Sequence, residues 1–195
     1  MSAHHGHDHS YAVVTESNAK KLTFALILTS TFLVIEVIAG FITQSLALLS
    51  DAAHMFTDAA ALAIALVAIK VGKLPADSKR TFGYQRFEIL AALFNALMLF
   101  VVAIYILYEA YQRFSQPPDI QSGGMMIVAT IGLVINLISM KILFSSSQES
   151  LNIKGAYLEV LSDALGSVGV IIGAAIIYFT GWMWVDTLIA IFIGF

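Results

Sequence analysis

Of the 195 residues, 59% are apolar and only 12% charged, about half the charged fraction of a soluble domain. A large core cannot absorb that excess, because a folded soluble domain of this size still needs a charged surface. The net charge of -3, with no basic patch, points away from nucleic acid, and the lack of cysteine excludes both a disulfide frame and a thiolate metal site. Any metal site must use oxygen and imidazole donors.

The first segment, 1–21, has no apolar stretch after a basic start and so is no secretory signal. Its HHGHDH run holds His4, His5, His7 and His9, all but one of the five histidines. It reads as a largely disordered cytoplasmic tail. Imidazoles this dense can bind metal loosely, and removing them should change apparent affinity modestly; the alternatives are a merely solvated tail or an added tag.

Runs of about 20 mainly apolar residues mark bilayer-spanning helices. They fall at 22–43, 45–71, 87–113, 123–144 and 156–180, and a sixth occupies 183–195. That sixth run, roughly a dozen residues, rises only about 18 Å against a ~30 Å hydrocarbon core. The sequence therefore reads as a fragment whose parent completes the helix. The fold expected is an all-α membrane protein, a six-helix transmembrane bundle with its sixth helix truncated.

The connections separate by charge. Lys20 and Lys21 precede the first run, Lys70, Lys73, Lys79, Arg80 and Arg86 surround the loop after the second, and Lys141 and Lys154 flank the loop after the fourth. Arg113 alone lies on the other side. By the positive-inside bias the N-terminus is cytoplasmic, in a multi-pass protein of the cell inner (plasma) membrane. The second run is rich in alanine, and the fifth carries Gly166, Gly169 and Gly173, the last two as a small-xxx-small pair. Small residues let helices approach closely in lipid, which predicts contact between the second and fifth helices.

Inside those two helices lie the residues that carry chemistry: His54 with Asp58, and Glu159 with Asp163. Each pair is spaced i, i+4 and so shares one helical face. A carboxylate at mid-membrane costs about 2.5–3.5 kcal/mol on insertion scales, and a bound divalent cation is the simplest common reason for the cluster. One imidazole and three carboxylates suit a tetrahedral ion. Ionised carboxylates cannot stay unneutralised in a low dielectric, so protons and metal compete for the same groups, which is the basis for coupled exchange. The rival view, structural polar residues satisfied between helices, is weaker for two such pairs than for one acid.

Asp51 sits three residues before His54 and is either an exit ligand or proton acceptor, or a solvated residue of an outer vestibule. Leu49-Ser50-Asp51-Ala52 recurs as Leu161-Ser162-Asp163-Ala164, too short an echo to establish duplication. Asn95 and Asn136 are expected to stitch helices together. Glu36 would be expensive if unpaired, and a proton path or the vestibule are its candidate roles. Asp186 is expected at the interface.

The stretches SLALLSDAAHMFTD, KRTFGYQRFEILAALFNA and NIKGAYLEVLSDALGSVGV, together with the histidine-rich start, resemble the cation diffusion facilitator family and particularly its cobalt–zinc–cadmium efflux branch. The likeness runs from about residue 22 to 195. It implies a six-helix homodimer that exports Zn²⁺, with Co²⁺ and Cd²⁺ as further cargo, in exchange for H⁺, without a prosthetic group. The family's metal ligands map onto His54, Asp58, Glu159 and Asp163. Many zinc-selective relatives have His at the position of Glu159; a carboxylate discriminates less for Zn²⁺, so broader specificity is expected, or a water in its place on the ion. In the loop PADSKRTFGYQRFE some relatives bind a second metal. Here Asp77 remains but Lys79, Arg80 and Tyr84 stand where ligands would be needed, so no site is expected there. Relatives continue into a cytoplasmic ferredoxin-like domain beyond this sequence.

Three other functions compete. An intramembrane metalloprotease needs an H-E-x-x-H pair, and only one histidine lies in an apolar run, so the chain is read as a transporter and no enzyme. A divalent-cation channel with an acidic pore site is the main alternative. Export of organic cations would need an aromatic-lined acidic cavity.

Overall fold

The computed structural model describes residues 16–72, 86–148 and 151–194; the histidine run and the loop expectation for Asp77, Lys79, Arg80 and Tyr84 lie outside them. The described chain forms α1 (Glu16–Thr43), α2 (Leu46–Gly72), α3 (Arg86–Ser115), α4 (Ser122–Ser147), α5 (Leu151–Thr180) and α6 (Trp184–Gly194). Four stretches, Lys20–Thr43, Leu93–Ser115, Ser122–Ser147 and Ile153–Thr180, are long and apolar enough to cross a membrane. The 27 residues of α2 rise about 40 Å, more than the ~30 Å core. The protein is a multi-pass, all-α membrane bundle.

The helices outrun the apolar stretches. α1 opens at Glu16 and not at 22, α5 at Leu151 and not at 156, and α4 continues to Ser147. An apolar run marks only the part that must avoid water, whereas backbone hydrogen bonding can carry a helix on into the headgroup region. The stops have local causes. α3 ends before Pro117-Pro118, whose rings disfavour helical geometry in the preceding residue. α5 ends where Gly181 adopts φ 71 and its N–H bonds the Ile177 carbonyl at 2.8 Å, a left-handed cap that favours glycine.

α4 and α5 form the most extensive helix pair, and α1 packs across α4 and α2. Lys21 Nζ donates to Ser145 Oγ (3.1 Å) and Ser146 Oγ (3.0 Å), tying one end of α1 to α4. Midway, the Phe32 ring lies over Gly132, where a Cβ would stand 2.5 Å from ring carbon Cζ. Phe32 is fully buried beside Leu33, Ala52 and Met55 and has nowhere to retreat. Gly132→Ala should therefore lower stability by about 1–3 kcal/mol, the range for overpacking a filled core, read as a lower melting temperature in detergent. The large exposed apolar side chains, among them Ile27, Phe41, Phe100, Tyr111 and Phe179, are the surface offered to lipid.

The expected contact between α2 and α5 is present but narrow; α2 packs far more against α3, α1 and α6. The predicted small-residue pair does not make it. Gly173 receives Ile189 and Val185 of α6, and nothing lies within 4 Å of a Cβ at Gly169. Gly166 is the glycine that meets α2, with the Asp51 carboxylate 3.1 Å from where its Cβ would be.

Candidate metal site

The first turns of α2 need acceptors for N–H groups that no helical carbonyl can satisfy. Ser45 supplies one, its Oγ accepting from Leu48 N at 3.2 Å. The others come from α6. Asp186 accepts from Ser45 Oγ (2.6 Å), Leu46 N (2.6 Å) and Ala47 N (3.2 Å), and is 0% exposed. A carboxylate against a helix N-terminus is stabilised by the aligned backbone dipoles, and this one, at the start of α6, is sequestered as a cap. Arg113 of α3 completes the group, 3.7 Å from Asp186, paired with Glu109 at 3.0 Å and donating to the Gln44 carbonyl at 2.5 Å. A second tie runs from Ser50 Oγ to the Ala190 carbonyl at 2.9 Å. The height of α2 in the bundle is fixed by α6.

Below that anchor, His54 and Asp58 occupy one face of α2, with Nε2 and Oδ2 3.6 Å apart and side chains 43% and 30% exposed. On α5, Asp163 is buried (7% exposed) and Glu159, a turn away, is exposed. The two pairs face each other: Glu159 lies within electrostatic reach of Asp58 and His54, and Asp163 within reach of Asp58 and Glu159. They do not close on a common point. Among the described residues no three His, Asp or Glu side chains gather closely enough to hold an ion, which needs ligand distances near 2.0–2.2 Å. The donors lie within electrostatic reach of one another without lining a finished cage.

Asp51 points into the bundle, 2% exposed, and meets Glu36 of α1, 1% exposed, carboxyl to carboxyl within hydrogen-bonding reach. Asp163 lies within electrostatic reach of both. The solvated-vestibule alternative for Asp51 does not fit this burial. Among the described residues Glu36 Oε2 has no hydrogen-bond partner, and neither do the side-chain oxygens of Asn95 and Asn136. The expected stitching by the two asparagine oxygens is therefore not made within the described residues. A separate apolar crevice of about 600 Å³ between α1, α2 and α3 is lined by residues such as Phe41, Phe56 and Tyr105 and by no acid, so it does not supply the pocket an organic cation would need.

The model of the cation efflux transmembrane domain matches residues 22–195. Over 194 residues the chain is 64% identical to the metal cation efflux system protein CzcD of Cupriavidus metallidurans, covering 100% of this chain and 60% of that protein. It is 46% identical to the cadmium, cobalt and zinc/H(+)-K(+) antiporter of Bacillus subtilis, covering 97% and 60%. It is 44% identical to the zinc transporter ZitB of Escherichia coli, covering 97% and 61%. The chain spans about 60% of the length of these relatives. With the whole apolar bundle matched at such identity, the chain belongs to the cation diffusion facilitator family, in its cobalt–zinc–cadmium branch.

Proposed function

We propose that this chain is the membrane-spanning part of a secondary transporter that exports divalent transition-metal cations, Zn²⁺ with Co²⁺ and Cd²⁺, from the cytoplasm in exchange for protons. His54, Asp58, Glu159 and Asp163 are the proposed cargo ligands, with Asp51 accessory. The N-terminus faces the cytoplasm across the inner membrane, and two copies make the working unit. The observation that carries this reading is that one imidazole and three carboxylates on α2 and α5 of an apolar bundle lie within electrostatic reach of one another. The names of the relatives, which specify metal efflux and antiport, favour it over a channel.

The half-open spacing of the donors suits a carrier. A cation drawn between α2 and α5 can pull His54 and Asp58 towards Asp163, and protonation of the same oxygens releases it. Because α2 contacts α5 narrowly but is latched to α6, closing the site requires no break in the Asp186 cap. Tilting of helix pairs about a fixed midplane site is the usual form of alternating access.

In reconstituted vesicles, Zn²⁺ uptake should saturate and stop when the proton gradient is collapsed. A flux that ignores the gradient and appears as a non-saturating current would instead establish the channel alternative.

A further inference from the structure

Asp186 and Glu36 are both buried carboxyls in the same bundle, and they contrast sharply. Asp186 accepts three hydrogen bonds and faces Arg113. Among the described residues one Glu36 oxygen, Oε2, has no hydrogen-bond partner. Within hydrogen-bonding reach of Glu36 lies a second buried carboxyl, Asp51. Among the described residues Glu36 and Asp51 form no ion pair with lysine or arginine, and the basic group within electrostatic reach of Asp51 is the His54 imidazole. An uncompensated carboxyl in such a place is expensive, and a buried polar atom left open requires a physical reason, of which a bound ion is one.

We infer that Glu36 and Asp51 form a second cation station, between α1, α2 and α5 and one helical turn nearer the Gln44 end than His54, which takes a divalent cation through oxygen donors alone. The inference rests on the cargo site proposed above and extends it outward. Three features support it. The unpartnered Glu36 oxygen belongs to a side chain that is 1% exposed and turned towards Asp51. Space is kept for the Asp51 carboxylate by Gly166, where a Cβ would stand 3.1 Å from Oδ1. Asp163 is the hinge between the two groups, within electrostatic reach of Asp51 and Glu36 on one side and of Asp58 and Glu159 on the other.

The chemistry of the two stations differs. The inner group includes imidazole, which suits borderline metals; the outer one has only carboxylate oxygens, which suit harder ions and hold Zn²⁺ less selectively. A cation leaving His54 for Glu36 and Asp51 keeps Asp163 beside it throughout and enters a weaker site, which favours release at the Gln44 end. The shared carboxylate spares the ion from crossing low dielectric unneutralised.

The test counts bound Zn²⁺ by equilibrium dialysis on the protein in lipid nanodiscs, with His4, His5, His7 and His9 replaced by alanine so that the tail contributes nothing. The parent should bind a tight ion and a weaker one. His54→Ala with Asp58→Asn should remove the tight ion and keep the weaker; adding Glu36→Gln should weaken that remaining ion at least about tenfold, the scale on which metal sites respond to lost partners. Gly166→Ala, which keeps every ligand but crowds Asp51, should weaken the same ion and guards against a folding defect in the Glu36 variant. The station is overturned if the His54/Asp58 variant binds no ion, or binds one that Glu36→Gln and Gly166→Ala leave unchanged. If that variant still binds the tight ion, the inner assignment fails, and the station then stands only if Glu36→Gln in the parent removes the weaker ion.

Discussion

Asp163→Asn reduces Zn²⁺ uptake into inverted membrane vesicles by more than about a hundredfold, since a donor on the ion should outweigh the outer partners whose loss costs about 10–100-fold. The amount of protein in the membrane and its fold are expected to stay as they were. Asp163 joins none of the ion pairs that brace the helices, and its carboxylate sits 7% exposed among the acids Asp51, Asp58 and Glu159. An amide of the same shape stands in for the neutral, protonated carboxyl of the metal-free site, so the metal-free variant should melt no lower than the parent. What it loses is the response to cargo. A ligand at a hundred times its dissociation constant stabilises the folded state by about 2.7 kcal/mol, and the Zn²⁺-induced rise in melting temperature should vanish with the uptake. Full uptake together with an unaltered Zn²⁺-induced rise would remove Asp163 from the ligand set and, with it, the link between the two carboxylate groups.

The helices were legible because a bilayer imposes a length on apolar runs, and those runs survive in composition alone. Their ends were not, because beyond the hydrocarbon a helix is held by backbone bonding and local stops such as Gly181, not by hydrophobicity. His54, Asp58, Glu159 and Asp163 stood out for the same reason the helices did: charge is rare where apolar residues are selected. Which helix each small residue serves could not be read. Gly173 announces a close neighbour, and that neighbour is α6, not α2, while Gly166, outside the predicted pair, is the residue that meets Asp51. The role of Asp186 left still less trace. Two of its three donors are backbone amides, which every sequence has, and all three lie 139 to 141 positions away. Glu36 was visible as an expense without a visible partner; its proximity to Asp51 needs the α1–α2 packing, which no spacing rule supplies.

Asp186→Ala should be the most destabilising single change outside the cargo site, lowering stability by about 3–5 kcal/mol, the cost of removing one partner from a buried charge pair. It strands the buried Leu46 and Ala47 N–H groups and the Ser45 hydroxyl, and leaves the Arg113 guanidinium, among the described residues, facing no opposite charge but Glu109. Arg113→Ala should cost less, because Asp186 keeps its three hydrogen bonds and the favourable end of α2. The double variant should be less damaging than the sum of the two, the mark of residues that share one network. Asp186→Asn separates charge from shape: one amide oxygen can still accept from α2, but the negative charge opposite the helix N-terminus and Arg113 is gone, so an intermediate loss is expected. All four variants can be compared with the parent by thermal unfolding in one detergent. Unfolding at the parent's temperature by Asp186→Ala would mean that α2 is held by something other than this cap. If the expected order is found, transport by the asparagine variant becomes informative in turn. A loosened α2 should lower the rate of turnover while leaving equilibrium Zn²⁺ binding by His54 and Asp58 nearly intact, because the latch sets where α2 sits against α6 and touches neither ligand.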